Sequence, residues 1–139
     1  MINLNHLSSK HQKKYLSIPK EIFLQKALKS AQEQSYQNIE IIIVDSSDNT
    51  DTQNYISQNK NIMYVHSGIN HPNVLRNLGI QCSNGELIAF LDDDDIWFPT
   101  KLEKQLKAME ETGCNMSSTE GLHGDRDERY DKNKRYKKY

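Results

Sequence analysis

The apolar run Leu87-Ile88-Ala89-Phe90-Leu91 ends abruptly at four consecutive aspartates, Asp92 to Asp95, and is followed by Ile96-Trp97. A short, continuous apolar run has the pattern of a strand covered on both faces, as in a parallel sheet. Four adjacent carboxylates repel one another, so they need water or a cation beside them. The chain must therefore pass from core to polar edge within one residue. In open α/β sheets, the C-terminal ends of parallel strands face the crevice where ligands bind. Oxygen-only ligands suit Mg²⁺ or Mn²⁺, and Mg²⁺ commonly takes one or two carboxylates together with substrate phosphates. The cluster thus points to a metal–diphosphate site. Taken alone, a solvated acidic turn explains it equally well.

The rest of the chain supplies a sheet for that strand. Glu40-Ile41-Ile42-Ile43-Val44 is continuous and mostly β-branched, which reads as a central strand ending at Asp45. Ser46 to Asp51 then has turn chemistry. Ahead of this strand, Pro19 and Glu21 suit a helix start, and Leu24, Ala27, Leu28 and Ala31 fall on one helical face ending near Gln34. Further along, the pattern predicts a weak helix from Thr52 to Gln58 and a strand from Ile62 to Val65. It continues with a loop from His66 to Pro72 and a helix from Asn73 to Gln81. Asn84-Gly85 turns the chain into the acidic-ended strand, taken from Glu86 to Leu91. Pro99 opens a last helix with Leu102, Leu106 and Met109 buried and Gly113 as its stop. Cys114 to Ser118 is expected to begin a further strand. Alternating strands and helices imply βαβ crossovers and a parallel sheet, with Asp45 and Asp92 on one edge.

Composition narrows the class. A chain of 139 residues supports one domain, and 35% hydrophobic with 27% charged residues implies that part of it lies outside the core. The division expected is a divergent segment over 1–19, an α/β ligand-binding domain over 20–118, and a polar, basic, disordered tail over 119–139. A formal net charge of −1 argues against nucleic acid as a partner. No apolar run is long enough to span a bilayer, and Met1 to Ser9 lacks the apolar stretch of a signal peptide, so a cytoplasmic location is expected. Cys82 and Cys114 read as ordinary thiols, and His66 and His71 as loop residues without ligand spacing. Tyr130, Tyr136 and Tyr139 lie among the lysines and arginine of the tail, which suits a solvated terminus better than peripheral contact with an anionic membrane.

Three segments in order resemble the family 2 glycosyltransferases of the GT-A fold. Gln34-Ser35-Tyr36-Gln37-Asn38-Ile39-Glu40 through Asp45 looks like that family's passage from helix to second strand. Leu75-Arg76-Asn77-Leu78-Gly79-Ile80 is similar to its Ala-Arg-Asn-x-Gly-Ile signature. Asn84 to Trp97 resembles its Asp-x-Asp strand, and Pro99 with Lys101 to Gln105 resembles the helix that follows. The resemblance implies an α/β, GT-A-like, Rossmann-type three-layer sandwich with a mostly parallel sheet, incomplete at both ends. It also implies transfer of a sugar from a nucleotide diphosphate sugar, with a lean to UDP, onto an acceptor hydroxyl. The acceptor would be a glycan or a lipid-linked molecule, handled at the inner face of the membrane in surface polysaccharide or lipopolysaccharide synthesis.

By motif position, the resemblance gives Asp45 to the base or ribose and Arg76 to the phosphates. Asn77 would orient the nucleoside, Asp92 would lie near ribose and metal, and Asp94 would be the main ligand of a Mn²⁺ or Mg²⁺. Asp93 is grouped with the donor-binding residues, although it and Asp95 also suit the plainer role of solvated neighbours. Trp97 reads as a packing residue under the loop.

The resemblance departs at two places. Family members usually open with an apolar strand ending in Pro-Thr-Tyr-Asn, whereas Lys13 to Pro19 and Ile2 to Asn5 match it poorly. Losing that strand would leave an unpaired edge in mid-sheet. Past the aspartates, Glu120, Asp125, Asp127 and Glu128 sit in polar surroundings that single out none as a general base, so no catalytic residue is assigned. The alternatives are a non-catalytic remnant that binds nucleotide and metal, a gene fragment, or an enzyme whose acceptor half is supplied by a separate chain.

Overall fold

The computed structural model describes residues 2–3, 14–17, 21–48, 50–59, 61–123 and 137–138. Its centre is β3, Ile41–Asp45, in which all five residues are buried. β-branched side chains suit such a strand because they pack well on both sides of a pleated surface. β4, Ile62–His66, runs parallel to it with Asp45 opposite His66. On the other side of β3 lies β2, Lys14–Ser17. This strand runs parallel to β5, Ile88–Asp92, with Ser17 opposite Asp92. The spatial order is therefore β4, β3, β2, β5. A two-residue strand β1, Ile2–Asn3, bridges Lys14 and Ala89 at the opposite end and closes a small ring of pairing with β2 and β5.

Alternate residues of β3 serve two cores, which makes the fold three-layered. Ile41 and Ile43 pack in a cluster with helix α1, Glu21–Gln32, and with Ile56 of α2, Asp51–Ser57. Leu102 and Leu106 of α4, Lys101–Thr112, join that cluster together with Leu91 and Trp97. Ile42 and Val44 pack on the opposite face with Leu75 and Leu78 of α3, Pro72–Gln81. The expected helical stripe Leu24, Ala27, Leu28, Ala31 is buried throughout. Trp97 is 7% exposed and packs in the core as expected.

Two local expectations are corrected. The poorly matching Lys13 to Pro19 region does supply a strand, because the slot beside β3 lets Lys14–Ser17 pair with β5. Cys114 to Ser118 forms no strand. Gly113 ends α4 in the left-handed conformation at φ 68°, and the following chain is polar, with Met116 86% exposed. The side-chain amide of Gln105 then pins Ser117, donating to its carbonyl at 3.2 Å and its hydroxyl at 3.1 Å. Within the expected tail, β6, Leu122–His123, pairs antiparallel with β7, Lys137–Lys138. Positions 124–136 lie outside the described residues.

Candidate donor site

The C-terminal ends of β4, β3, β2 and β5 form one edge carrying, in order, His66, Asp45, Ser17 and Asp92. Asp45 and Asp92 are two strands apart, so their backbones are separated by about 10 Å. The sequence placed both carboxylates on one edge, and the fold does so.

Their environments differ. Asp45 is 0% exposed. Its Oδ1 accepts the Ser47 backbone N–H at 2.8 Å, and its Oδ2 accepts the Ser47 hydroxyl at 2.7 Å. The Tyr64 hydroxyl also donates to Oδ2 at 3.1 Å, and the Ser67 N–H donates to the Asp45 carbonyl at 2.7 Å. Burial, followed by the Asp45 charge, pushes the Tyr64 hydroxyl up to about 12. A carboxylate has about four acceptor sites. Asp45 has used three to build the turn, which leaves little beyond one lone pair for a ligand.

Asp92 is instead open. Its Oδ1 accepts a hydrogen bond from Arg76 Nη2 at 3.3 Å, with both side chains well exposed. Screening makes such a pair a weak stabiliser. The Arg76 guanidinium carbon also stands 5.9 Å from the centre of the Phe90 ring. A tight turn follows, in which the Asp95 N–H donates to the Asp92 carbonyl at 3.2 Å. Asp94 is exposed, whereas Asp93 is half-buried. Burial, with the charges of Asp94, Asp92 and Asp95, lifts Asp93 from 3.8 to about 6. Asn77 is exposed on α3 next to Arg76.

Among the described residues, no three of histidine, cysteine, aspartate and glutamate converge as a ready-made metal cage. Asp92 and Asp94 are exposed carboxylates, the oxygen ligands that Mg²⁺ or Mn²⁺ takes together with phosphate and water, so the donor set fits such an ion. Arg76 places a guanidinium fork against the same edge, a geometry that also matches phosphate.

Ser47, Tyr64 and Ser67 went unnoticed in the sequence. Only the hydroxyl two residues after Asp45 offered a signal, since an aspartate often accepts from the backbone two positions on.

Residues 20–138 match the sequence profile described as Glycosyl transferase family 2. The chain belongs to this family. An uncharacterized glycosyltransferase of Rickettsia bellii is 37% identical over 107 residues, which cover 75% of this chain and 16% of the relative. The UDP-Glc:alpha-D-GlcNAc-diphosphoundecaprenol beta-1,3-glucosyltransferase WfaP of Escherichia coli is 38% identical over 86 residues, covering 60% of this chain and 34% of that protein. The match thus spans about one sixth of the first relative and one third of the second. The crystal structure of S. aureus TarS 1-349 in complex with UDP superposes with a TM-score of 0.61 at 21% identity, covering 71% of this chain and 31% of that one. This family 2 chain therefore has an α/β architecture of GT-A type. No helix among its described residues is long and apolar enough to cross a membrane.

Proposed function

We propose that this chain forms the donor-binding part of a glycosyltransferase that moves a sugar from a UDP-sugar to a hydroxyl of a glycan or lipid-linked acceptor. The observation that carries this reading is the shared strand edge, where buried Asp45, Arg76 and the acidic turn of Asp92 to Asp95 stand together. The UDP-Glc-dependent activity for which WfaP is named and the UDP in the TarS crystal support the choice of donor. WfaP, whose acceptor is a diphosphoundecaprenol-linked sugar, and the teichuronic acid biosynthesis glycosyltransferase TuaG of Bacillus subtilis support a role in surface polysaccharide synthesis.

In this reading Asp94 and Asp92 hold a Mn²⁺ or Mg²⁺, which when bound stabilises the negative charge of the departing diphosphate as a Lewis acid. Arg76 exchanges its exposed bond to Asp92 for the diphosphate oxygens. Asp45 keeps the turn after β3 rigid and offers its remaining lone pair and the adjacent backbone to the nucleoside. Asn77 and Asp93 border the donor.

A thermal melt with UDP, with and without Mn²⁺, tests the proposal. Ligand at one hundred times its dissociation constant should stabilise the chain by about 2.7 kcal/mol. Asp94→Ala should remove the part of the shift that needs Mn²⁺. An equal shift in that variant would refute the metal role, and hydrolysis of the UDP-sugar would separate turnover from binding.

A further inference from the structure

The chain leaving the acidic turn is held from behind by one buried amide. Gln34 lies just past the end of α1 and is 0% exposed. Its Nε2 donates to the Ser30 carbonyl at 3.0 Å and to the Phe98 carbonyl at 2.8 Å. Its Oε1 accepts the Leu102 N–H at 3.1 Å. A reversed amide would set oxygen against two carbonyls and leave that N–H unmet, so the bonding fixes the orientation.

The Leu102 N–H is one of the orphan donors at the start of α4, whose cap residue Thr100 contributes no side-chain bond. Gln34 therefore caps α4 from another helix and ties down Phe98 at the same time. Three neighbouring bonds work in parallel. Ser30 Oγ accepts the Trp97 N–H at 3.1 Å, the Ser35 N–H donates to the Pro99 carbonyl at 2.7 Å, and the Ser35 hydroxyl donates to Glu103 at 2.6 Å. Residues 97–103, directly after the four aspartates, are thus bolted to the C-terminal end of α1. On the upstream side, β5 pairs with β2 as far as Asp92. The acidic turn is suspended between these two anchors.

We propose that Gln34 is a positioning residue for the cation and diphosphate site, acting through the Phe98 and Leu102 backbone without touching the ligand. The inference rests on the donor-site reading above. A buried amide with all of its bonds made restricts the segment to one register, and losing either half of it strands a buried backbone group. A loosened downstream anchor lets Asp92 to Asp95 sample positions unsuited to a shared cation, so ligand affinity falls even while the core stays folded.

The test is a Mn²⁺ titration of the full chain followed by electron paramagnetic resonance, with a thermal melt of each variant. Gln34→Met keeps the volume and removes every bond. It should weaken Mn²⁺ binding by about threefold to thirtyfold, the range over which residues without ligand contact modulate a site. Ile56→Ala, a core change on α2, should lower the melting temperature yet leave Mn²⁺ affinity unchanged. If Gln34→Met gives no cooperative melt, Ser30→Ala decides the matter, with weaker Mn²⁺ binding supporting the proposal and wild-type binding overturning it. Unchanged affinity in Gln34→Met overturns the positioning role alone, as does an equal loss in Ile56→Ala. A wild-type chain that takes up no Mn²⁺ overturns the donor-site reading and the positioning role together.

Discussion

Asp45 and Asp92 end two strands of one sheet, yet one carboxylate is locked inward and the other faces water. The difference comes from their partners. Ser47 and Tyr64 close over Asp45, whereas the Asp92 carboxylate meets Arg76 at the surface. Between these extremes is Asp93, half-buried among like charges and lifted to about 6. The native chain keeps that proton at pH values where the unfolded chain has lost it. The contribution of Asp93 to stability is therefore complete below about pH 4 and lost as the pH rises through about 6. Denaturant midpoints measured in chelator should show this fall for the wild type, and Asp93→Asn should flatten it. An unchanged slope in Asp93→Asn would place the titration elsewhere. The sequence made the carboxylates and their strand-end position legible, because an apolar run and its first charge are local signals. Which way each carboxylate faces was not legible, since Tyr64 meets Asp45 only after β3 and β4 pair.

At the scale of elements, α4 has two ends built differently. Its start is capped from outside by Gln34, and its finish relies on Gly113 at φ 68°. A Cβ at Gly113 would meet nothing within 4 Å, so the cost of Gly113→Ala is conformational. It should amount to about 1 kcal/mol, read from the unfolding midpoint, with Mn²⁺ affinity unchanged. A loss of affinity there would mean that the far end of α4 also sets the acidic turn. The helices were readable because Leu24, Ala27, Leu28 and Ala31, or Leu102 and Leu106, repeat with the helical period and are buried. β2 was not readable in the same way. Lys14-Tyr15-Leu16-Ser17 carries a weak local pattern, and the open slot between β3 and β5 decides its conformation. Cys114 to Ser118 shows the converse, a plausible strand start that runs as irregular chain tied to α4 through Gln105.

At the scale of the molecule, two helical layers fix a four-strand sheet, and that sheet brings distant residues to one edge. Family 2 membership and the likeness to TarS agree with this architecture. In the proposed function, donor and cation bind at the C-terminal strand edge. Paramagnetic broadening of backbone amide signals by Mn²⁺ in the presence of UDP tests it most directly. Strong broadening is expected at Asp92 to Asp95 and at Asp45 to Ser47, little at Glu40 and Ile62 on the opposite edge, and loss of the effect in Asp94→Ala. Broadening centred instead on the acidic face of α4, Glu103, Glu110 and Glu111, or spread evenly over the chain, would contradict it.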